Sequence, residues 1–191
     1  MYINDAKFEY RNPGHVYVLH PNKVGGSCIG LCITKIFMDY MQTHDSYLEI
    51  GSWDGIGISL LAEAYPQKKF YAVDPLGGNN GEGHIEYFCE NNKLLDNVFL
   101  YPHKSAIALP QLIARGHSFD LIFIDGDHAY DSVKIDINYS YQLLNPNGIV
   151  YFHDSDHKGI IRAVEEFSMA HSISHNMHIE SGMLYIIKHR E

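Results

Sequence analysis

Apolar and polar positions alternate along the chain in two periods, beginning near Ser46. Five short apolar runs, rich in β-branched and aromatic residues as strands are, alternate with longer stretches in which apolar residues recur every three or four positions. In the first helical stretch Ile56, Leu60 and Ala64 form one stripe that is expected to lie on a sheet. The five runs are YLEIG, KFYAVD, NVFLY, FDLIFID and GIVYFHD. Such alternation predicts a parallel sheet covered by helices on both faces.

Two further apolar runs near the C-terminus, HNMHIES and GMLYIIKH, are separated by almost no intervening chain. They are expected to pair antiparallel, because a parallel return needs a crossover of a dozen or more residues. The turn signal NPNG, residues 145–148, is expected to end a helix before the fifth strand. These patterns predict an α/β fold, a Rossmann-like doubly wound sheet that is mostly parallel and ends in an antiparallel β-hairpin.

The first 45 residues lie outside this alternation. The stretch NPGHVYVLHPNKVGG, residues 12–26, is expected to be a loop, followed by a helix from about Ser27 to Met41. We interpret residues 1–45 as an N-terminal cap segment, a loop plus a helix that is not an independent domain, and residues 46–191 as one domain. A chain of this length buries roughly 70% of its unfolded surface in a single core.

Composition and charge argue against several classes of function. With 46% hydrophobic and 19% charged residues, the chain is expected to fold as an ordinary globular protein. A net charge of −9 without any run of Lys or Arg predicts no nucleic-acid partner. No stretch has the pattern of a membrane span or a signal peptide, and the 3 cysteines are too few for a disulfide framework. We therefore expect a cytoplasmic protein with no membrane partner.

The stretch YLEIGSWDGIGISLLA predicts a ligand-binding loop. It follows the order of strand, glycine turn and helix, in which backbone N–H groups approach a ligand closely. The positions of Gly51, Gly55 and Gly57 do not match the G-x-G-x-x-G spacing of dinucleotide binding, so NAD is not expected. The second strand ends in Asp74, where an acid in such folds accepts hydrogen bonds from ribose hydroxyls. A nucleoside without a diphosphate fits both observations.

Acidic residues end the fourth and fifth predicted strands, at Asp125 and Asp154. Ligands of open α/β sheets bind beyond the carboxyl ends of the strands, so both acids are expected at the same edge as the glycine loop. Two carboxylates held close repel unless a proton or a cation lies between them, and a hard divalent ion such as Mg²⁺ would satisfy the pair. Asp127 and Asp131 are expected to cap the following helix instead.

These motifs resemble those of the class I S-adenosylmethionine-dependent methyltransferases. The resemblance rests on the E-x-G-x-x-x-G loop, the acid that ends the second strand and the terminal hairpin, and it covers about residue 46 to the C-terminus, the implied methyltransferase domain. IDGDHAYDSVKIDI, LLNPNGIVYFHD and GIIRAVEEF are similar to the small-molecule O-methyltransferases that include catechol O-methyltransferase and the antibiotic-sugar methyltransferases. The resemblance implies methyl transfer from S-adenosylmethionine to a small-molecule hydroxyl.

The resemblance also implies a cofactor site. The glycine loop would lie along the methionine and ribose parts of S-adenosylmethionine, with Glu49 supporting the loop and Asp74 holding the ribose. Lys104, Ser105 and Ala106 occupy the place that lines the adenine in such enzymes. The implied cofactor-binding residues are Glu49, Gly51, Ser52, Trp53, Gly55, Asp74, Lys104, Ser105 and Asp125.

A metal site is implied as well, because the catechol-type enzymes bind a divalent metal through aspartates that match Asp125 and Asp154. They carry an asparagine directly after the second aspartate, where this chain has Ser155. A histidine in its place would shift the preference from Mg²⁺ towards Mn²⁺, Fe²⁺ or Zn²⁺. The candidates for the missing ligand are Asp127, Asp156 and His157, although Asp156 and His157 also fit solvated loop positions.

His128 is the candidate catalytic base, with Asp125 as the second catalytic residue. It lies three residues after Asp125, where catechol O-methyltransferase has a lysine that takes the hydroxyl proton, and an imidazole suits that task near neutral pH. His153 is the second choice. The alternatives are a metal-independent methyltransferase with an Asp125/His128 dyad and a non-catalytic S-adenosylmethionine-binding module. The stretch LGGNNGEGH, residues 76–84, is a candidate lid, and a homodimer is as compatible with the sequence as a monomer.

Overall fold

The computed structural model describes residues 7–12, 15–19, 31–77, 85–93, 95–178 and 182–189. The strands are β1 (Lys7–Asn12), β2 (His15–Leu19), β3 (Ser46–Ile50), β4 (Lys69–Val73), β5 (Val98–Tyr101), β6 (Phe119–Ile124), β7 (Leu144–Phe152), β8 (His175–Met177) and β9 (Leu184–Ile187). The helices are α1 (Leu31–Met41), α2 (Ile56–Ala64), α3 (Ile85–Asn92), α4 (Ser105–Ala114), α5 (Tyr130–Leu143) and α6 (Lys158–His171).

Seven strands form one sheet in the order β5-β4-β3-β6-β7-β9-β8. The pairs from β5 to β7 are parallel, and β9 pairs antiparallel with both β7 and β8. The sheet reverses its winding between β3 and β6, so the ends of these two strands open onto a crevice. This is the topology typical of class I methyltransferases, and it confirms the predicted doubly wound sheet with its terminal hairpin.

The central strands are buried on both sides, because three of the described helices pack on each face of the sheet. Helices α1, α2 and α3 pack on one face, where Phe37 lies 4.9 Å from Phe123 between ring centroids. Helices α4, α5 and α6 cover the other face through residues such as Leu109, Ile137 and Val164. Among the described residues, the two helical layers cover both faces of the central strands and leave the strand ends accessible.

Three local expectations were wrong. Residues 15–19 are a strand, not a loop, because their alternating apolar positions pair with β1 in a two-stranded hairpin. The fifth strand was expected to begin at Gly148, but β7 begins at Leu144. The NPNG signal does follow the end of α5 at Leu143, as expected, and it lies at an irregularity in the pairing with β6, where the Asn145 amide donates to Asp120 Oδ1 at 2.7 Å. In α2 the exposed Ala64 does not join the buried stripe, which runs through Ile58 and Leu61.

The N-terminal helix begins, within the described residues, at Leu31 and ends at Met41 as predicted. Residues 27–30, the predicted first turn, lie outside the described residues, as do residues 78–84 of the candidate lid. Within the described ranges no helix combines the length and the apolar character that crossing a bilayer requires.

Candidate functional site

The carboxyl ends of four central strands bring the predicted site residues to one edge of the sheet. The ladder continues one residue beyond each of these strands. Gly51 N–H donates to Val73 O at 2.9 Å and Asp125 N–H to Ile50 O at 2.8 Å, while His153 N–H donates to Ile124 O at 2.9 Å and Asp74 N–H to Tyr101 O at 3.3 Å. Each polar residue is therefore held by backbone bonds at the point where its strand leaves the core. The predicted meeting of the glycine loop and the acidic strand ends is found here.

Gly51 and Gly55 are required by close packing of the loop. Gly51 has a φ of +91°, and a Cβ there would lie 2.2 Å from the backbone oxygen of Asp125. Gly55 has a φ of +72°, and a Cβ there would lie 2.6 Å from the Phe88 ring. Residues with a side chain rarely adopt such φ values and would collide with the neighbouring chain. The loop can thus run directly past the end of β6.

Asp74 organises the glycine loop from the neighbouring strand. Its Oδ2 accepts the Trp53 N–H at 2.9 Å and its Oδ1 accepts the Leu76 N–H at 2.6 Å. Trp53 has a φ of +48° and its side chain is 55% exposed, so the carboxylate holds a strained turn in place. Each carboxylate oxygen has a second lone pair that can still accept a ligand hydroxyl.

Glu49 lies behind the loop and does not face solvent. Its carboxylate accepts a hydrogen bond of 2.6 Å from the Tyr47 hydroxyl, and its side chain is 3% exposed. Burial raises the pKa of Glu49 to about 8, although the Tyr47 hydrogen bond opposes the shift. The Ser52 hydroxyl lies 3.5 Å from the Glu49 backbone oxygen. The side chains of Glu49 and Ser52 are therefore buried beneath the loop and do not face a ligand site in solvent.

Two asparagines of α3, which the sequence did not single out, hold the loop from the other side. The Asn91 amide donates to Asp54 O at 2.8 Å, and the Asn92 amide lies 3.4 Å from Gly55 O. Both side chains are buried. A pair of adjacent asparagines in a short helix is a weak signal, and only the packing of α3 against the loop gives it meaning.

The N-terminus of α4 contributes Lys104 and Ser105, which follow β5 at the same edge. Lys104 is exposed, and Ser105 is half-buried. Asp136, in α5, is an acid that the sequence analysis missed: it is 2% exposed, and burial raises its pKa to about 6 while the Ser105 hydroxyl opposes the shift. An acid at a core position of an amphipathic helix was the available signal.

Asp125, His128 and Asp154 form the polar centre of the site. Each offers one ligand atom, and the three atoms lie within 4.8 Å of one another. His128 Nε2 is 3.3 Å from Asp154 Oδ2. His153 joins this centre, since its Nδ1 lies 2.9 Å from Asp125 Oδ1 and 3.3 Å from Asp154 Oδ2. We call these four residues the carboxylate–histidine cluster.

Charge and burial couple the members of the cluster. Burial raises the pKa of Asp125, although His153 opposes the shift. Burial would lower the pKa of His153, but Asp125 and Asp154 outweigh it, so the pKa of this imidazole is raised. His128 Nε2 and His153 Nδ1 are both buried and make no hydrogen bond within the described residues. Two carboxylates and the two ring nitrogens that lie beside them are a donor set that fits a divalent cation.

The other acids near the cluster point elsewhere. Asp127 accepts the Ala129 N–H at 3.0 Å and the Ser132 hydroxyl at 2.7 Å, and these bonds lower its pKa. The N-cap of α5 is Ala129 and Asp131 lies within the first turn, so neither acid is the helix cap that the sequence led us to expect. Asp156 is exposed, and His157 packs its ring against His128 at 4.6 Å between centroids. None of these contacts brings a ligand atom towards Asp125 or Asp154.

Comparison with known proteins agrees with this geometry. A family model described as a methyltransferase domain matches residues 48–155. An uncharacterized protein of Acanthamoeba polyphaga mimivirus is 30% identical over 113 residues, which are 57% of this chain and 51% of that protein. The chain therefore spans about half the length of the curated relative that it matches.

Two solved structures share the fold. A putative caffeoyl-CoA O-methyltransferase from Staphylococcus aureus superposes with a TM-score of 0.68 at 16% identity, over 85% of this chain and 85% of that chain. An O-methyltransferase from Bacillus cereus, solved with SAH, gives a TM-score of 0.64 at 17% identity, over 84% and 82%. The family match covers more than half of the 191 residues and includes the glycine loop, Asp125 and Asp154, and the chain therefore belongs to the methyltransferase-domain family.

Proposed function

We propose that the protein transfers the methyl group of S-adenosylmethionine to a hydroxyl oxygen of a small molecule. One observation carries the proposal: the glycine loop with Asp74 and the carboxylate–histidine cluster share one edge of the sheet, at the reversal of its winding. This edge is where open α/β sheets bind ligands. The Bacillus cereus structure, an O-methyltransferase with SAH, supports this choice of cofactor.

The cofactor would lie across the glycine loop. Gly51, Ser52, Trp53 and Gly55 would line its methionine and ribose parts, and the free lone pairs of Asp74 would accept the ribose hydroxyls. Glu49 would act through the loop, because its carboxylate is turned towards Tyr47. Lys104 and Ser105 would flank the adenine from the start of α4, where the Ser105 hydroxyl interacts with Asp136.

Asp125 and Asp154 would hold a divalent ion, which when bound lowers the pKa of the acceptor hydroxyl and orients its oxygen. His128 is the proposed base: its Nε2 lies 3.3 Å from Asp154 Oδ2, so the ring is at the polar centre of the site, and its side chain is 32% exposed, so an acceptor hydroxyl can reach it. The acceptor oxygen then attacks the methyl carbon in line with the departing sulfur, which leaves as S-adenosylhomocysteine. The protein contributes proximity and proton removal to this displacement.

A metal-independent methyltransferase is the second candidate, and the position of His153 favours it. Its Nδ1 lies close to both carboxylates, where a protonated imidazole would supply the positive charge. Asp125 and His128 would then act as the dyad. Methyl transfer that persists after complete chelation of divalent metals would support this version.

The first test is titration of S-adenosylhomocysteine into the chelated full chain, by calorimetry and by fluorescence of Trp53, the single tryptophan. We expect micromolar binding, at least about tenfold weakening in Asp74→Ala, and no change in Asp96→Ala, an exposed acid outside the site. Absence of binding to the unaltered protein would overturn the proposal. Binding without methyl transfer to any hydroxyl acceptor would indicate a non-catalytic module.

A further inference from the structure

We propose that His153 is the third protein ligand of the divalent ion, together with Asp125 and Asp154, and that it makes the site prefer a nitrogen-binding ion over Mg²⁺. Manganese, iron, cobalt and zinc in their divalent states bind imidazole well, whereas Mg²⁺ favours oxygen ligands. The inference rests on the metal-assisted form of the proposed function. His153 would take the place of the third ligand that Ser155 does not supply.

The distances around His153 are those between ligands that share an ion. Two ligand atoms about 2.1 Å from one cation are roughly 3.0 Å apart at an octahedral right angle and roughly 3.4 Å apart at the tetrahedral angle. His153 Nδ1 lies 2.9 Å from Asp125 Oδ1 and 3.3 Å from Asp154 Oδ2. Among the described residues with ring nitrogens, His153 is the one that contacts both carboxylates at this range, since the corresponding contact of His128 is to Asp154.

The direction of the nitrogen supports the same assignment. His153 Nδ1 is buried and forms no hydrogen bond within the described part of the chain, although a carboxylate oxygen is 2.9 Å away. The contact does not have the alignment of a hydrogen bond, which suits a nitrogen and an oxygen that bind a common cation.

The imidazole is held in this position before any ion binds. The backbone N–H of His153 donates to Ile124 O at 2.9 Å, and its ring meets the Phe123 ring edge to face, with centroids 5.9 Å apart. A ligand on an extended sheet ladder cannot move away easily. Pre-positioned ligands lower the cost of ordering that metal binding otherwise carries.

Ser155 is unavailable for the role that an adjacent asparagine would play. Its hydroxyl accepts the Leu184 N–H at 2.8 Å and lies 2.9 Å from Gly182 O, so the side chain is committed to the terminal hairpin. The side chain is also buried, at 8% exposure of the residue. His153, which directly precedes Asp154, is the proposed ligand instead of Ser155, which directly follows it.

The test compares metal affinities of the chelated full chain by calorimetric titration of MnCl₂, ZnCl₂ and MgCl₂. We expect Mn²⁺ to bind at least about tenfold more tightly than Mg²⁺. In His153→Ala, Mn²⁺ binding should weaken by roughly 100-fold, much more than S-adenosylhomocysteine binding does. His157→Ala is the matched control, because this neighbouring histidine contacts His128 but neither carboxylate, and it should keep both affinities.

A second measurement needs no variant at position 153. Pulsed electron paramagnetic resonance of the Mn²⁺-loaded protein should show coupling to a directly bound imidazole nitrogen, and the coupling should persist in His128→Ala. A preference for Mg²⁺, retained Mn²⁺ affinity in His153→Ala, or nitrogen coupling that disappears in His128→Ala would overturn the inference. Cofactor binding without any metal binding would also overturn the inference, and protonated His153 would then supply the positive charge between the two carboxylates. Failure to bind S-adenosylhomocysteine would instead overturn the proposed function itself.

Discussion

Replacing Glu49 with glutamine should remove a pH-dependent loss of stability that the wild-type protein carries. Glu49 is 3% exposed, and burial raises its pKa from 4.5 to about 8. The folded state therefore favours the protonated acid, which accepts the Tyr47 hydroxyl at 2.6 Å. Glutamine has nearly the same shape and keeps an acceptor oxygen for Tyr47, but it cannot ionise.

The expected magnitude follows from the two pKa values. A group whose folded pKa is raised contributes its full stability below the unfolded pKa of 4.5 and loses it progressively as the pH rises towards the folded pKa of about 8. At pH 7, about 2.5 pH units above the pKa of Glu49 in the unfolded state, the unfolded state has released this proton and the folded state still holds it. The folded state has therefore lost about 3 kcal/mol of the stability that it has at low pH. Most of that loss, about 2.5 kcal/mol, occurs between pH 5 and pH 7.

The assay is urea unfolding of both proteins at pH 5, 6 and 7, with the free energy of unfolding obtained by linear extrapolation. The difference between Glu49→Gln and wild type should grow in favour of the variant by about 2–3 kcal/mol over this range. Glu165→Gln, which changes an exposed acid on α6, should leave the pH dependence as it is. Parallel curves for Glu49→Gln and wild type would refute the assignment of a neutral, buried Glu49.

Two further substitutions test how the glycine loop is held. Gly51→Ala should destabilise the protein by more than about 3 kcal/mol in thermal unfolding, because the new Cβ would lie 2.2 Å from Asp125 O. Gly116→Ala is the control: Gly116 also has a positive φ but has open space around it, so this change should cost only about 1 kcal/mol. Asn91→Ala should lower stability by about 1–3 kcal/mol and weaken S-adenosylhomocysteine binding, since Asp54 O would lose its amide donor. Equal melting temperatures for the two glycine variants, or an unchanged affinity in Asn91→Ala, would contradict this account of the loop.

The fold was predictable because its signals are local. Short β-rich runs, amphipathic helices and a connection too short for a crossover predict a mostly parallel sheet with a terminal antiparallel hairpin, and the structure confirms both. The strand order, in which β9 lies between β7 and β8, was not predicted. The errors have a common cause. Val16 and Val18 were placed in a loop because the partner strand β1 was not recognised, and the start of β7 was placed at Gly148 because the pairing of Leu144 with Phe119 was not recognised.

The sequence by itself determined which edge of the sheet carries the site, because residues that directly follow parallel strands must meet there. The position of Asp74, Asp125 and Asp154 directly after their strands was therefore enough to predict that they share one edge of the sheet. Only the tertiary structure decided which side chains face one another. The orientation of His153 towards both carboxylates and of Ser155 towards the hairpin depends on the twist and register of neighbouring strands, which residue spacing does not encode.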